Sequence, residues 1–159
     1  MEREISLFFH FIGFGLFVSL NVMGFILNSQ YKKAPDLQAK GAILRIARPI
    51  GLLSPVAVLI MLITGIGNMH SLGYGPLDVG WLSAKLVIFV IAVILGAIGG
   101  AKMRKRGGLV ASMISGSAPA DAPRELEKLD KQISLTHIIL PILLMCILAL
   151  AIYGRLGVQ

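Results

Sequence analysis

Long runs of apolar residues alternate with shorter polar segments along this chain. Four runs stand out, over residues 5–27, 49–67, 80–101 and 133–153. Each is close to the roughly 20 residues that a helix needs to cross a hydrocarbon core of about 30 Å. The runs are continuously apolar and lack the alternation of barrel strands, and lipid admits only helices or closed barrels. The pattern therefore predicts four transmembrane helices.

Composition supports an all-α fold, an integral membrane four-helix bundle that occupies residues 1–159 as one domain. Of the residues, 56% are hydrophobic and 14% are charged, and the mean hydropathy is +0.83. Such values are far from those of soluble domains. No basic segment precedes the first run, so we expect it to persist as a helix rather than to be removed as a signal peptide.

Basic residues are concentrated in two of the connecting segments. Of the 15 Lys and Arg residues, all but Arg3, Lys85 and Arg155 lie between the first two runs or in the loop over residues 102–132, which includes Arg106. The positive-inside rule places these segments in the cytoplasm and both termini outside it. We therefore expect a multi-pass protein of the inner (plasma) membrane, N-out and C-out. Its net charge of +7 then indicates contact with anionic lipid headgroups rather than with nucleic acid.

Several common kinds of chemistry are not supported by the sequence. Cys146 is the only cysteine, which excludes an intrachain disulfide and a cysteine-based metal cluster. Neither a Cys-x-x-Cys-His motif for covalent haem nor a phosphate-binding glycine loop occurs. Residues 124–132 mix charges at helical spacing, which predicts that the fourth helix begins in the cytoplasm.

Polar residues inside the apolar runs are the candidates for function, because a polar group at depth is costly unless it is paired or hydrated. His10 lies four residues from Phe14 on the first helix, and Trp81 lies four residues from Lys85 on the third, so each pair shares a face. The topology brings five residues to a similar depth on the outer side: His10, Met69, His70, Trp81 and Lys85. The spacing therefore predicts an outer-leaflet site. Alternatively, Trp81 belongs to an aromatic belt at the membrane surface. The alternative for Lys85 is that its side chain extends to the surface to keep its charge in water.

His137 is a second histidine within an apolar run, near the cytoplasmic end of the fourth helix. Two imidazoles on one iron are typical of membrane b-type haem. At about 1.5 Å per residue, however, His10 and His137 differ in depth by well over 10 Å. A haem at His10 would therefore take His70, Met69, Lys85 or water as its second ligand.

Several elements of the sequence together resemble a known superfamily. They are the outer-side His10, the basic stretch Arg-Ile-Ala-Arg-Pro at 45–49, Thr-Gly at 64–65, and Gly-Trp-Leu-Ser-Ala-Lys-Leu at 80–86. Across about residues 6–100 the chain resembles the four-helix, haem-binding membrane protoporphyrinogen oxidases. It also resembles the related copper-resistance D-type membrane proteins and their small uncharacterised relatives.

The resemblance implies that His10 binds a b-type haem and that Lys85 is important for activity. The oxidases typically carry another histidine late in the third helix, where this chain has only small and apolar residues at 96–100. The implied function is electron transfer between a hydrophobic donor, such as a porphyrinogen, and a quinone-like acceptor. Trp81 and Phe14 would then pack on the macrocycle.

Two other functions are compatible with the sequence. The glycine-rich face at 96–100 would suit a non-enzymatic subunit that packs against a second copy or a larger membrane complex. Alternatively, His10, Met69 and His70 would suit copper, since imidazole and thioether are ligands that copper accepts.

Overall fold

Residues 2–156 of this protein form five helices in the computed structural model. They are α1 (Glu2–Lys33), α2 (Leu37–Leu52), α3 (Ser54–Ser71), α4 (Gly80–Ile114) and α5 (Ala122–Leu156). The structure describes the backbone of residues 2–156 and the side chains of residues 3–154, so the side chain of Arg155 lies outside the described residues.

The helices provide four apolar runs that are long enough to cross a membrane. α2 and α3 are almost continuous and form one run, Leu37–Ser71, beside the runs in α1, α4 and α5. Leu53 separates α2 from α3, because Pro55 in the first turn of α3 has no N–H to continue the hydrogen-bond ladder. Large apolar side chains such as Phe8 and Met145 are 61% and 65% exposed, as expected where the surrounding solvent is lipid. The predicted all-α membrane bundle is confirmed.

The helices continue well beyond the apolar runs at the basic end of the bundle. α4 extends through its basic segment to Ile114, and α5 begins at Ala122, so the connection predicted over 102–132 shortens to residues 115–121. Glu, Lys and Arg are good helix formers, and hydropathy marks only the part of a helix that lies in lipid. An ion pair between Lys105 and Glu125 joins the two extensions outside the membrane.

The helices pack as two hairpins. In the first, α1 packs against α3; in the second, α4 packs against α5, and the hairpins meet through α1 with α5 and α2 with α4. A core within the membrane contains Phe17, Ala57, Met61, Leu144 and Ile147. A second core lies in the helical extensions, where Tyr31, Val110 and Leu126 meet.

Arg106 is buried between these helices, with 1% of its surface exposed. Its Nη1 donates to Asn28 Oδ1 at 2.9 Å and to Asp130 Oδ1 at 3.2 Å. Its guanidinium carbon lies 4.1 Å from the centre of the Tyr31 ring, a cation–π contact. Arg106 is therefore a structural cation. Its place in a basic segment of the sequence had instead indicated a charge that faces lipid headgroups.

The orientation predicted from charge is testable because the chain has a single cysteine to remove. In a Cys146→Ser background, Ser71→Cys at the end of α3 and Ser117→Cys in the α4–α5 connection form a matched pair of exposed positions. A membrane-impermeant maleimide applied to intact spheroplasts is expected to label Ser71→Cys alone, and Ser117→Cys only after permeabilisation. The reverse pattern would show that both termini are cytoplasmic.

Loss of the Arg106 side chain is expected to destabilise the bundle. Arg106→Met leaves Asp130 and Asn28 without their donor, and we expect a loss of about 3 kcal/mol of unfolding free energy in mixed micelles. The control is Lys105→Met, one residue away, where the side chain is 62% exposed. An exposed ion pair contributes about 1 kcal/mol or less. Equal losses for both variants would show that the buried contacts of Arg106 do not stabilise the fold.

Candidate functional site

A cavity of about 230 Å³ lies between the two hairpins, at the end of the bundle opposite Arg106. Its walls come from the first half of α1, the second half of α3, the start of α4 and the end of α5. The predicted site residues that line it are His10, Phe14, Met69, Trp81 and Lys85. His70 is exposed on the last turn of α3 and is not among the lining residues. The ligand set His10, Met69 and His70 that would suit copper is therefore not assembled in this cavity.

The His10 imidazole is held in one orientation by Thr64 on the neighbouring helix. His10 Nδ1 lies 3.0 Å from Thr64 Oγ1, and the Thr64 hydroxyl donates to the carbonyl of Ile60 at 2.6 Å. The hydroxyl has one hydrogen, and Ile60 takes it, so Thr64 Oγ1 accepts a hydrogen bond from His10 Nδ1–H. Nε2 is then the unprotonated nitrogen of the ring. An imidazole binds a metal through its unprotonated nitrogen.

Gly65 contributes to the same arrangement by leaving room for the ring. A Cβ atom at Gly65 would lie 3.5 Å from Cε1 of His10, already at van der Waals contact, so any larger side chain would meet the imidazole. Ser6 strengthens the α1–α3 pairing beside it, since its hydroxyl donates to the Thr64 carbonyl at 3.3 Å. The Thr-Gly pair at 64–65 thus positions His10, a role that its place in the sequence did not reveal.

Trp81 and Asn68 line the cavity, and each has one fully buried side-chain polar atom. Among the described residues, neither Trp81 Nε1 nor Asn68 Oδ1 has a hydrogen-bond partner. Burial of a polar group without a partner costs about 1–3 kcal/mol, so such atoms point to a ligand or an ordered water. Asn68 was not among the predicted site residues, because an asparagine at a helix end is common in turns and carries no signal of its own.

His137 and the glycine-rich face at 96–100 both lie outside the cavity. His137 contacts α1 at Gly24, where a Cβ atom would lie 3.0 Å from its Cε1. Gly24 is about 21 Å along α1 from His10, so the two histidines do not share a site. In the glycine-rich face at 96–100, Gly99 packs against Thr136 of α5 within the chain.

Comparison of the chain with protein-family models, with curated proteins and with solved structures finds no match. Its function is therefore inferred from the geometry and chemistry of the cavity.

The packing of Trp81 against Gly154 makes a sharp prediction about the site. A Cβ atom at Gly154 would lie 2.5 Å from the Trp81 ring, so Gly154→Ala must displace the indole. Trp81 is the only tryptophan, and its fluorescence reports the change directly. We expect a shift of the emission maximum in Gly154→Ala and none in Gly96→Ala, where a Cβ atom would meet nothing within 4 Å. An unchanged spectrum in Gly154→Ala would contradict this placement of Trp81.

Proposed function

We propose that this protein is a b-type haem-binding redox protein of the plasma membrane, in which His10 would hold the iron. The observation that carries the proposal is the hydrogen bond from His10 Nδ1–H to Thr64, which leaves Nε2 as the metal-binding nitrogen in an apolar cavity. Histidines that bind metals in proteins usually donate their other N–H to an oxygen in this way, which sets the tautomer and the ring orientation.

The other residues of the cavity suit the parts of a haem. The Met69 thioether belongs to a class of second axial ligand known in haem proteins. Lys85 brings a positive charge, which suits carboxylates such as the haem propionates. Phe14 provides an apolar ring for contact with a macrocycle.

The size of the cavity bears on how such a group would be held. A volume of about 230 Å³ is below the range of about 300–1,000 Å³ in which proteins enclose drug-sized ligands. A macrocycle held at His10 would therefore not be enclosed completely. The donor set fits a haem, whereas the enclosed space fits only part of one.

Within this proposal the protein residues have distinct tasks. Haem, when bound, supplies reversible one-electron exchange at the iron. Thr64 holds the His10 ring, and the apolar walls exclude water, which strengthens electrostatic interactions in the site. Lys85 lies one turn from Trp81 on α4 and stabilises negative charge in the cavity; we propose it as the residue that binds an anionic group of the cofactor or the reactant.

An absorption spectrum of the purified protein tests the proposal directly. Protein expressed with ample haem and purified in mild detergent is expected to show a Soret band, and sharp bands on reduction with dithionite. His10→Ala is expected to abolish these bands, whereas His70→Ala, outside the cavity, retains them. Thr64→Val removes the acceptor for Nδ1–H and is expected to lower haem affinity by about 10–100-fold. A featureless wild-type spectrum, or an unchanged spectrum in His10→Ala, would overturn the assignment.

A further inference from the structure

An open groove of about 370 Å³ lies at the basic end of the bundle, apart from the cavity that contains His10. One of its lining residues, Lys32, is in the last turn of α1, and the others belong to α5. The α5 residues that line it are Glu127, Asp130, Lys131, Ser134, Leu135 and Ile138. Their spacing of three and four places them on one face of the helix. We call this feature the α1–α5 groove.

The groove changes from charged to apolar along α5. Its first part carries Glu127, Asp130 and Lys131, whereas Leu135 and Ile138 follow and are 57% and 55% exposed. The eleven residues from Glu127 to Ile138 cover about 16 Å of helix. A phospholipid has the same order of parts, with a charged headgroup at one end and apolar chains at the other.

The change from charged to apolar lies at the edge of the membrane-spanning run. The fourth apolar run begins at residue 133, so Asp130 and Lys131 are within about 5 Å of the hydrocarbon along the helix. Lys32 follows the end of the first run, at residue 27, by about 8 Å. The headgroup layer on each side of a bilayer is about 5–8 Å thick. The charged part of the groove is therefore at headgroup depth, and the apolar part faces acyl chains.

The charges of the groove leave one cation in excess. Asp130 accepts a hydrogen bond from Arg106 at 3.2 Å, and Glu127 pairs with Lys131 at 2.7 Å. Lys32 has no ion-pair partner among residues 3–154, whose side chains the structure describes. Both carboxylates are thus neutralised within the chain, and the charge of Lys32 is available to an anion. A phosphodiester carries one negative charge, which matches this excess.

We infer that the α1–α5 groove binds one anionic glycerophospholipid from the adjoining leaflet. Its phosphate pairs with Lys32, and an acyl chain lies along Leu135 and Ile138. Basic pockets between membrane helices are known to bind anionic headgroups. α1 and α5 belong to different hairpins, so a lipid in this groove contacts both of them. The inference is independent of the proposed haem, because no residue of the groove lines the cavity around His10.

Native mass spectrometry of the full chain tests the inference. The protein in a non-ionic detergent is titrated with phosphatidylglycerol, and the dissociation constant of the first bound lipid is measured. Lys32→Gln is expected to weaken binding about fivefold, the effect of removing one cation near a lipid surface. The control is Lys33→Gln, because Lys33 is also exposed at the adjacent position but does not line the groove. The control is expected to bind the lipid as tightly as the wild type.

A second pair of variants tests the contact with the acyl chain. Leu135→Ala removes part of the apolar wall and is expected to weaken binding about threefold, through loss of a few dispersion contacts. Its control is Ile142→Ala, since Leu135 and Ile142 are both 57% exposed on α5 but Ile142 does not line the groove. Equal affinities in these two variants would contradict the position of the acyl chain.

Three outcomes would overturn the lipid site itself. Equal weakening by Lys32→Gln and Lys33→Gln would show diffuse attraction to the basic segments rather than a site. Equal affinity for phosphatidylcholine, which has no net charge, would show that the excess cation does not select the lipid. Displacement of the lipid by an equal concentration of sn-glycerol 3-phosphate would show a site for a water-soluble phosphate.

Discussion

The guanidinium of Arg106, buried against Asn28, Tyr31 and Asp130, joins α4 to α1 and α5 outside the membrane. A buried charge is tolerated only with partners that replace its hydration, so this contact determines how the second hairpin sits on the first. At this end the hairpins share a core around Tyr31 and Val110. A separate core around Phe17 and Leu144 joins the hairpins within the membrane.

At the end opposite Arg106, the cavity occupies space between the two hairpins, and residues of both α3 and α4 form part of its walls. Each hairpin contributes a different part of its chemistry. The first supplies His10, with its support from Thr64; the second supplies Trp81 and Lys85. The cavity is therefore lined by polar side chains from both hairpins.

The four-helix bundle and much of the site could be predicted from the sequence. Length and hydropathy determine the spans because hydrocarbon thickness imposes a minimum apolar length. Helical spacing placed His10 with Phe14, and Trp81 with Lys85, and the structure brings all of them to one cavity together with Met69. Hydropathy could not locate the helix ends beyond the apolar runs, because charged residues continue a helix as readily as apolar ones once the chain is in water.

The sequence by itself determined the number of spans, the helical class and the face on which each polar residue lies, since these follow from local periodicity. Only the tertiary structure decided which residues meet. Thr64 receives the His10 N–H, Asn68 joins the cavity, His70 stays outside it, and Arg106 is buried rather than solvated. Each of these contacts depends on the rotation and register of one helix against another. Those two quantities arise from packing across the whole bundle, and no local pattern in the chain specifies them.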